Sequence, residues 1–85
     1  MRKCVLDCSG ITDPEVFHDV LVEALALPQW YGTNLDALYD CLTSIMEETD
    51  ITLQHFGKLS SAFAGFREVF QDAQEANPNL HIIFE

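Results

Sequence analysis

The chain has 85 residues, a length that predicts one domain spanning residues 1–85 with a modest hydrophobic core. Hydrophobic residues make up 48% of the chain, which argues against disorder. Fourteen acidic residues oppose four basic ones, so direct binding to nucleic-acid phosphates is disfavoured; the net charge of −10 either serves solubility alone or favours a basic partner.

The first predicted elements are a strand and a helix. Residues 3–7 predict a short strand with Val5 and Leu6 buried, broken by the Ser-Gly pair that follows. Thr12 then predicts a helix cap, because Glu15 lies three residues later as in a capping box. Helical apolar spacing continues from there and predicts one buried face.

A loop and a second helix follow. Pro28 is expected to end the first helix, and residues 28–33 form the loop. Either Thr33 or Asn34 can cap the second helix. At 100° per residue, one side of this helix is apolar and predicts a core stripe. The stripe contains Leu35, Leu38, Cys41, Leu42 and Ile45.

The second half of the chain predicts strand, linker, helix and strand. Residues 51–54 alternate as a strand, and residues 56–59 form a linker with room for a helical turn. A helix from about Ser61 presents regularly spaced apolar residues, namely Phe63, Phe66, Phe70 and Ala73. After a stop at residues 77–79, the apolar run 80–84 predicts a strand in a sheet covered on both faces.

This order of elements predicts the α/β class. Helices between strands favour a parallel sheet with right-handed crossovers. We therefore expect a single small domain with a three-stranded parallel sheet and about three main helices, although the strand order does not follow from the pattern.

The thiols and the N-terminus indicate a reducing compartment. The chain has an odd number of cysteines, namely Cys4, Cys8 and Cys41. No apolar run at the N-terminus is long enough for a signal peptide or a membrane span. We therefore predict a cytoplasmic protein with free thiols and no membrane association. The spacing of Cys4 and Cys8 differs from a C-x-x-C motif, so neither a metal site nor a cofactor is predicted.

An acidic pair stands out on the second helix. Asp36 and Asp40 are one turn apart, and no Lys or Arg occurs between Lys3 and Lys58. Such a pair destabilises a helix by a few tenths of a kcal/mol, which favours a use on a positive partner. Asp36 has an alternative explanation as a first-turn acid that favours the helix dipole. Asp40 lies beyond that turn, so partner binding is favoured over a merely solvated position.

The loop before this helix carries Trp30, Tyr31 and Gly32. Each ring can either seal the core or face a partner, and the pattern favours one buried ring and one exposed ring. An exposed aromatic beside acidic residues is typical of an interface. Gly32 indicates either a positive φ angle or a close approach of another backbone.

An enzymatic role is disfavoured. Two aspartates on one exposed helix face lack the different environments that separate the pKa values of a catalytic pair. They also offer too few oxygen ligands for a magnesium or calcium site. A small hydrolase that uses Asp36 and Asp40 remains the alternative, and turnover or a metal-dependent melting shift would support it.

The segment from Ala26-Leu27-Pro28 through Trp30-Tyr31-Gly32-x-Asn34-Leu35-Asp36-Ala37-Leu38-x-Asp40-Cys41-Leu42 closely resembles the barstar family, intracellular inhibitors of the bacterial ribonuclease barnase. The resemblance extends over the whole chain in element order. It implies a three-stranded parallel sheet with helices, in agreement with the pattern. It also implies inhibition in which the second helix and its loop enter the active site of the nuclease.

The resemblance implies a role for each matching position. Asp40 would take the place of a substrate phosphate among Arg and His side chains of the enzyme, and Asp36 would pair with another basic residue. Gly32 and Asn34 would pack at the mouth of the site. Trp30 takes the position of a family tyrosine that lies against the catalytic histidine.

Other positions depart from the family. Tyr39 stands where the family has tryptophan, and Ile45 replaces another tryptophan. Asp72 takes the position of a peripheral interface glutamate, with Val69 as a minor contact on the same helix. These changes bear on the identity of the nuclease more than on the mode of binding.

The predicted function is therefore inhibition of a basic, microbial barnase-type ribonuclease by a chain that is monomeric when free. The alternative is an acidic immunity or adaptor module whose basic partner is not a ribonuclease. Inhibition of RNA cleavage, beyond simple binding, separates the two.

Overall fold

A computed structural model of the chain describes residues 1–28 and 31–85. Its centre is a three-stranded sheet formed by β1 (Arg2–Asp7), β2 (Thr49–Gln54) and β3 (Leu80–Phe84). The strands lie in the order β1-β2-β3, and both pairs are parallel. The predicted α/β class and the three-stranded parallel sheet are confirmed.

Three helices connect the strands. Helices α1 (Pro14–Leu25) and α2 (Leu35–Thr43) lie between β1 and β2, and α3 (Ala64–Ala76) lies between β2 and β3. Two short 3-10 turns, Phe56–Lys58 and Ser61–Phe63, lead from β2 into α3. The predicted helical turn in the linker is therefore confirmed, and so is the number of main helices.

The ends of α1 differ from the prediction. The cap is Asp13, whose Oδ1 accepts from the amide two residues later at 2.9 Å, so Thr12 is not the cap and no capping box forms. The helix ends at Leu25, before Pro28, because Ala26 adopts a left-handed conformation with φ 52°. A left-handed residue satisfies end carbonyls without a proline.

The sheet is covered on one face only, contrary to the prediction. Leu6 and Leu53 point into the core, whereas Val5 is 63% exposed and Ile83 is 50% exposed. Val5 was predicted to be buried, and that prediction is wrong. Strands that succeed one another in sequence order through right-handed crossovers place all their helices on the same side, which leaves the other face open.

The core is rich in phenylalanine. Phe17 of α1 packs against Phe66 of α3, with ring centroids 4.7 Å apart. The guanidinium of Arg67 lies 4.6 Å from the centroid of Phe84 on β3. The four apolar positions predicted for this helix region, Phe63, Phe66, Phe70 and Ala73, are all buried. These contacts fix α3 against both α1 and the sheet.

The three cysteines are free thiols, and Cys8 and Cys41 are buried. Within residues 1–28 and 31–85, no helix has the length and apolarity needed to cross a bilayer. The same residues contain no group of three or more His, Cys, Asp or Glu side chains placed to hold a metal ion.

Candidate functional site

Helix α2 separates an apolar face from an acidic one. Leu38, Cys41 and Leu42 are buried, as the core stripe predicted. Asp36 and Asp40 are exposed, one turn apart. Within the described part of the chain, neither carboxylate forms an ion pair, since the ion pairs found there join other residues. The pair therefore presents two uncompensated negative charges to solvent.

Asn34 organises the start of α2. Its Oδ1 accepts from the amide of Ala37 at 2.7 Å, which makes it the helix cap. Its Nδ2 donates to the carbonyl of Gly32 at 3.3 Å. One side chain therefore caps α2 and holds the loop that precedes it, and of the two predicted capping residues the structure selects Asn34 over Thr33.

Among residues 31–34, the left-handed conformation belongs to Thr33, with φ 48°, and not to Gly32. The positive φ considered for Gly32 is therefore wrong. The space around Gly32 is restricted, because a Cβ at this position would lie 3.1 Å from Nδ2 of Asn34. The missing side chain leaves room for the amide that secures the loop.

Tyr31 faces the core and not the solvent. It is 8% exposed, and its hydroxyl is hydrogen-bonded to Nδ1 of His18, which is itself 6% exposed. The imidazole also packs on Phe66, with centroids 4.9 Å apart. The inward ring leaves little of Tyr31 exposed in the free protein, so its predicted contact with a partner stays a prediction. Its role is to tie the loop to α1 and α3.

Burial shifts the titration of both members of this pair. It raises the pKa of Tyr31 to about 12, with a further contribution from nearby Cys41, so the phenol stays protonated at neutral pH. Burial lowers the pKa of His18 below its usual 6.5, against the opposing charges of Asp19 and Glu15. The neutral imidazole can then accept a hydrogen bond from the protonated phenol. His18 was singled out by no motif, because an isolated histidine on a helix carries no local signal.

The remaining predicted site residues occupy different parts of the surface. Tyr39 is half-buried at the edge of the acidic face of α2, as its position in the helix predicted. Asp72 is exposed on α3, and Val69 on the same helix is half-buried. Trp30 lies outside the described residues, so its predicted contact stays a prediction.

The end of α2 is held by a residue that the sequence did not reveal as functional. Asn77 follows α3 and is 5% exposed. Its Nδ2 donates to the carbonyls of Leu42, at 3.0 Å, and Ile45, at 2.9 Å. Asn79 adds a donation to the carbonyl of Met46 at 3.2 Å. The sequence predicted only a helix stop here, since a contact across 35 residues leaves no trace in local periodicity.

Helix α3 also approaches the start of α2 closely. A Cβ on Gly65 would lie 2.7 Å from Cδ1 of Leu35, a distance that real side chains do not adopt. Gly65 therefore lets the two helices come together. With Asn77 at the other end, α3 determines the position of the acidic helix at both ends.

None of the four Lys and Arg residues belongs to α2. Arg2 and Lys3 belong to β1, Lys58 to the turn after β2, and Arg67 stacks on aromatic rings of the core. The acidic face of α2 therefore keeps a negative potential that is not neutralised locally.

The sequence of the chain is similar to that of a known family and of a known protein. The family described as "Barstar (barnase inhibitor)" matches residues 1–85. A protein of Bacillus subtilis (strain 168), named "Putative ribonuclease inhibitor YrdF", is 41% identical over 81 residues, which cover 88% of each chain.

Proposed function

We propose, from the premise that the chain belongs to the barstar family, that it inhibits a barnase-type ribonuclease by inserting α2 and the preceding loop into the basic active site. Members of this family are inhibitors and not enzymes, so family membership confirms the prediction that the chain has no catalytic role.

One observation carries the proposal: two exposed carboxylates, neither of which has an ion-pair partner among residues 1–28 and 31–85, lie on one face of a helix that is fixed at both ends. Asp36 and Asp40 supply the charge, while Asn34 and Asn77 fix the helix. A ribonuclease site is basic because it binds phosphate, so a carboxylate array imitates the charge of its substrate. A rigid array loses little conformational freedom on binding.

We assign the central role to Asp40, which takes the place of a substrate phosphate among the cations of the enzyme. Charge-assisted hydrogen bonds from guanidinium groups to a carboxylate are short and strong, and they gain strength when water is excluded. Asp36 pairs with a second basic side chain at the edge. Its position in the first turn also suits the helix dipole, so its share in binding is smaller.

The loop supplies the rest of the proposed contact. Gly32 and Asn34 pack at the mouth of the enzyme site, and Trp30 lies against the catalytic histidine. Tyr39 borders the acidic face, and Asp72, with Val69 as a minor neighbour, reaches the periphery. Tyr31 acts from inside the fold, where its ring supports the loop.

The first experiment asks whether the chain blocks RNA cleavage. The immobilised chain is used to capture ribonuclease from lysate and culture medium of the organism that produces it, with purified barnase as a second target. We expect stoichiometric inhibition of RNA cleavage and loss of binding when a mononucleotide fills the nuclease site. A captured partner that binds equally well with its site filled contradicts the plugging mechanism.

A matched pair of variants tests the acidic face. D36N/D40N and D19N/E23Q each remove two charges at the same i,i+4 spacing, the first from α2 and the second from α1. We expect the first to lose inhibition and the second to retain it at neutral pH. If both double variants lost inhibition equally, the net charge of the chain, and not the acidic face of α2, would explain the inhibition. Binding without any inhibition of cleavage would favour the alternative of an acidic adaptor for another basic partner.

A further inference from the structure

The buried pair of His18 and Tyr31 places two titratable groups side by side in the core. Two apolar side chains could fill the same space without the cost of removing a phenol and an imidazole from water. The polar pair instead prescribes one arrangement, because each group needs the other as its hydrogen-bonding partner. Within the described part of the chain, no buried side-chain nitrogen or oxygen lacks a partner.

This pair connects the binding loop to the body of the protein. His18 lies in the middle of α1 and packs on Phe66 of α3. Tyr31 lies between α1 and α2, and its amide donates to the carbonyl of Pro28 at 3.0 Å. A change at His18 therefore alters the contacts of Tyr31 and so affects the residues that lead into α2.

We propose that His18 and Tyr31 act as a positioning pair: their hydrogen bond holds residues 31–34, which lead into α2, in their binding shape, and protonation of His18 releases them, so that inhibition weakens in acid. The effect on inhibition rests on the function proposed above, whereas the effect on the loop belongs to the free protein.

The chemistry of the bond gives the direction. In the tautomer of neutral His18 that carries its hydrogen on Nε2, Nδ1 accepts a hydrogen bond from the phenol of Tyr31. Protonated imidazole carries hydrogen on both nitrogens, so Nδ1 must donate instead and the phenolic proton loses its acceptor. Burial also disfavours the charged ring, as the lowered pKa indicates. The arrangement is therefore complete above about pH 6.5 and is lost progressively below it.

The groups around His18 determine where this transition falls. On α1, Glu15 and Asp19 favour the protonated ring. From the loop the titratable neighbour is Tyr31, with Cys41 of α2 close to its phenol, and α3 contributes the uncharged ring of Phe66. D19N should consequently move the transition to lower pH without removing it.

Trp30, the sole tryptophan and the neighbour of Tyr31 in sequence, reports on the loop. Its fluorescence is followed from pH 8 to pH 5 in the free protein, together with the dissociation rate of the complex with barnase. We expect a transition below pH 6.5 in the wild type and its absence in H18N, whose amide occupies the position of Nδ1 but does not titrate. At neutral pH, Y31F should dissociate about fivefold faster, the effect of one lost buried hydrogen bond.

Far-UV circular dichroism of each variant controls for unfolding. If H18N does not fold, the Cε1 proton resonance of His18, compared between wild type and Y31F, gives the same titration. A fluorescence transition unchanged in H18N would overturn the proposal, and so would a pH-independent signal in the wild type. Absence of any complex with a ribonuclease would refute the proposed function but leave the transition in the free protein intact, so the two failures are distinguishable.

Discussion

Helices α1 and α2 carry similar rows of acidic residues in different settings. On α1, Glu15, Asp19 and Glu23 follow one another at intervals of four, as Asp36 and Asp40 do on α2. All five are exposed, and within the described residues none forms an ion pair. By charge and spacing alone, either helix could serve as the acidic surface of an inhibitor.

The two helices differ in how they are held. Asp13 caps the start of α1 and Ala26 its end, and the thiol of Cys4 on β1 makes a weak, 3.8 Å donation to the carbonyl of Ala24. Helix α2 has Asn34 as a local cap and, in addition, receives Asn77 from beyond α3. A fixed row of charges presents one geometry to a partner, which is what a specific interface requires. Both helices pack into the core, so the amide tether from Asn77 to the end of α2, more than charge spacing, distinguishes the candidate site.

The largest expected effect is on binding. Truncation of a central charged anchor in an interface typically costs about 2 kcal/mol or more, so we expect D40A to lose at least this much affinity for the nuclease by calorimetry. The free energy of unfolding should stay unchanged or rise slightly, since a like-charge neighbour of Asp36 is removed. The matched control is E23A on α1, which should bind like wild type. Similar affinities for D40A and E23A would remove the distinction between the helices.

The second effect is on stability and tests the anchoring itself. In N77A the carbonyls of Leu42 and Ile45 lose their buried donor, and we expect a loss of about 1–2 kcal/mol in urea unfolding. N77D should lose more, because it replaces that donor with a carboxylate. The control is N79A, whose donations to Ile45 and Met46 are longer, at 3.5 and 3.2 Å. Equal stability of N77A and wild type would show that α2 does not depend on this tether.

The third effect concerns the rates of association and dissociation. These rates distinguish long-range electrostatic attraction of the nuclease from direct contact with it. Charges on both helices should attract a basic nuclease, so the association rate should fall about tenfold or more from low salt to about 0.5 M, with little change in dissociation. E23Q should slow association slightly and leave dissociation unchanged, whereas D40N should mainly accelerate dissociation. Stopped-flow measurements give both rates. An association rate that ignores salt would contradict steering by either helix.

The sequence predicted what depends on local order. The succession of elements, the apolar stripe around Leu38 and Leu42, and the cap at Asn34 all follow from short-range periodicity and hydrogen bonding. The exposure of Asp36 and Asp40 follows from the same periodicity. These features were predictable because each depends on residues within one or two turns.

The cap of α1, at Asp13 instead of Thr12, was missed within a single turn, but the other misses depend on contacts between distant parts of the chain. The tether from Asn77 spans 35 residues, and the approach at Gly65 depends on where α3 meets Leu35. The inward turn of Tyr31 depends on His18 of another helix. The open sheet face, with Val5 exposed, depends on a strand order that the pattern leaves undetermined.

The smallest expected effect lies in the loop. There the positive φ angle occurs at Thr33, although the neighbouring Gly32 is the residue better suited to it. Thr33 is β-branched and adopts φ 48°, so T33G removes steric strain while making the unfolded chain more flexible. We expect the balance to stabilise the fold by less than about 1 kcal/mol in urea unfolding.

G32A supplies the contrasting control for T33G. Gly32 has no positive φ, so alanine is conformationally acceptable, but its Cβ would lie 3.1 Å from Nδ2 of Asn34. That amide must move, which weakens its donation to the carbonyl of Gly32 and so destabilises the protein slightly. If G32A stabilised the protein and T33G destabilised it, the assignment of the strained backbone to Thr33 would be contradicted. The loop would then reach α2 by a different path, and the advantage of α2 over α1 would rest on Asn77 alone.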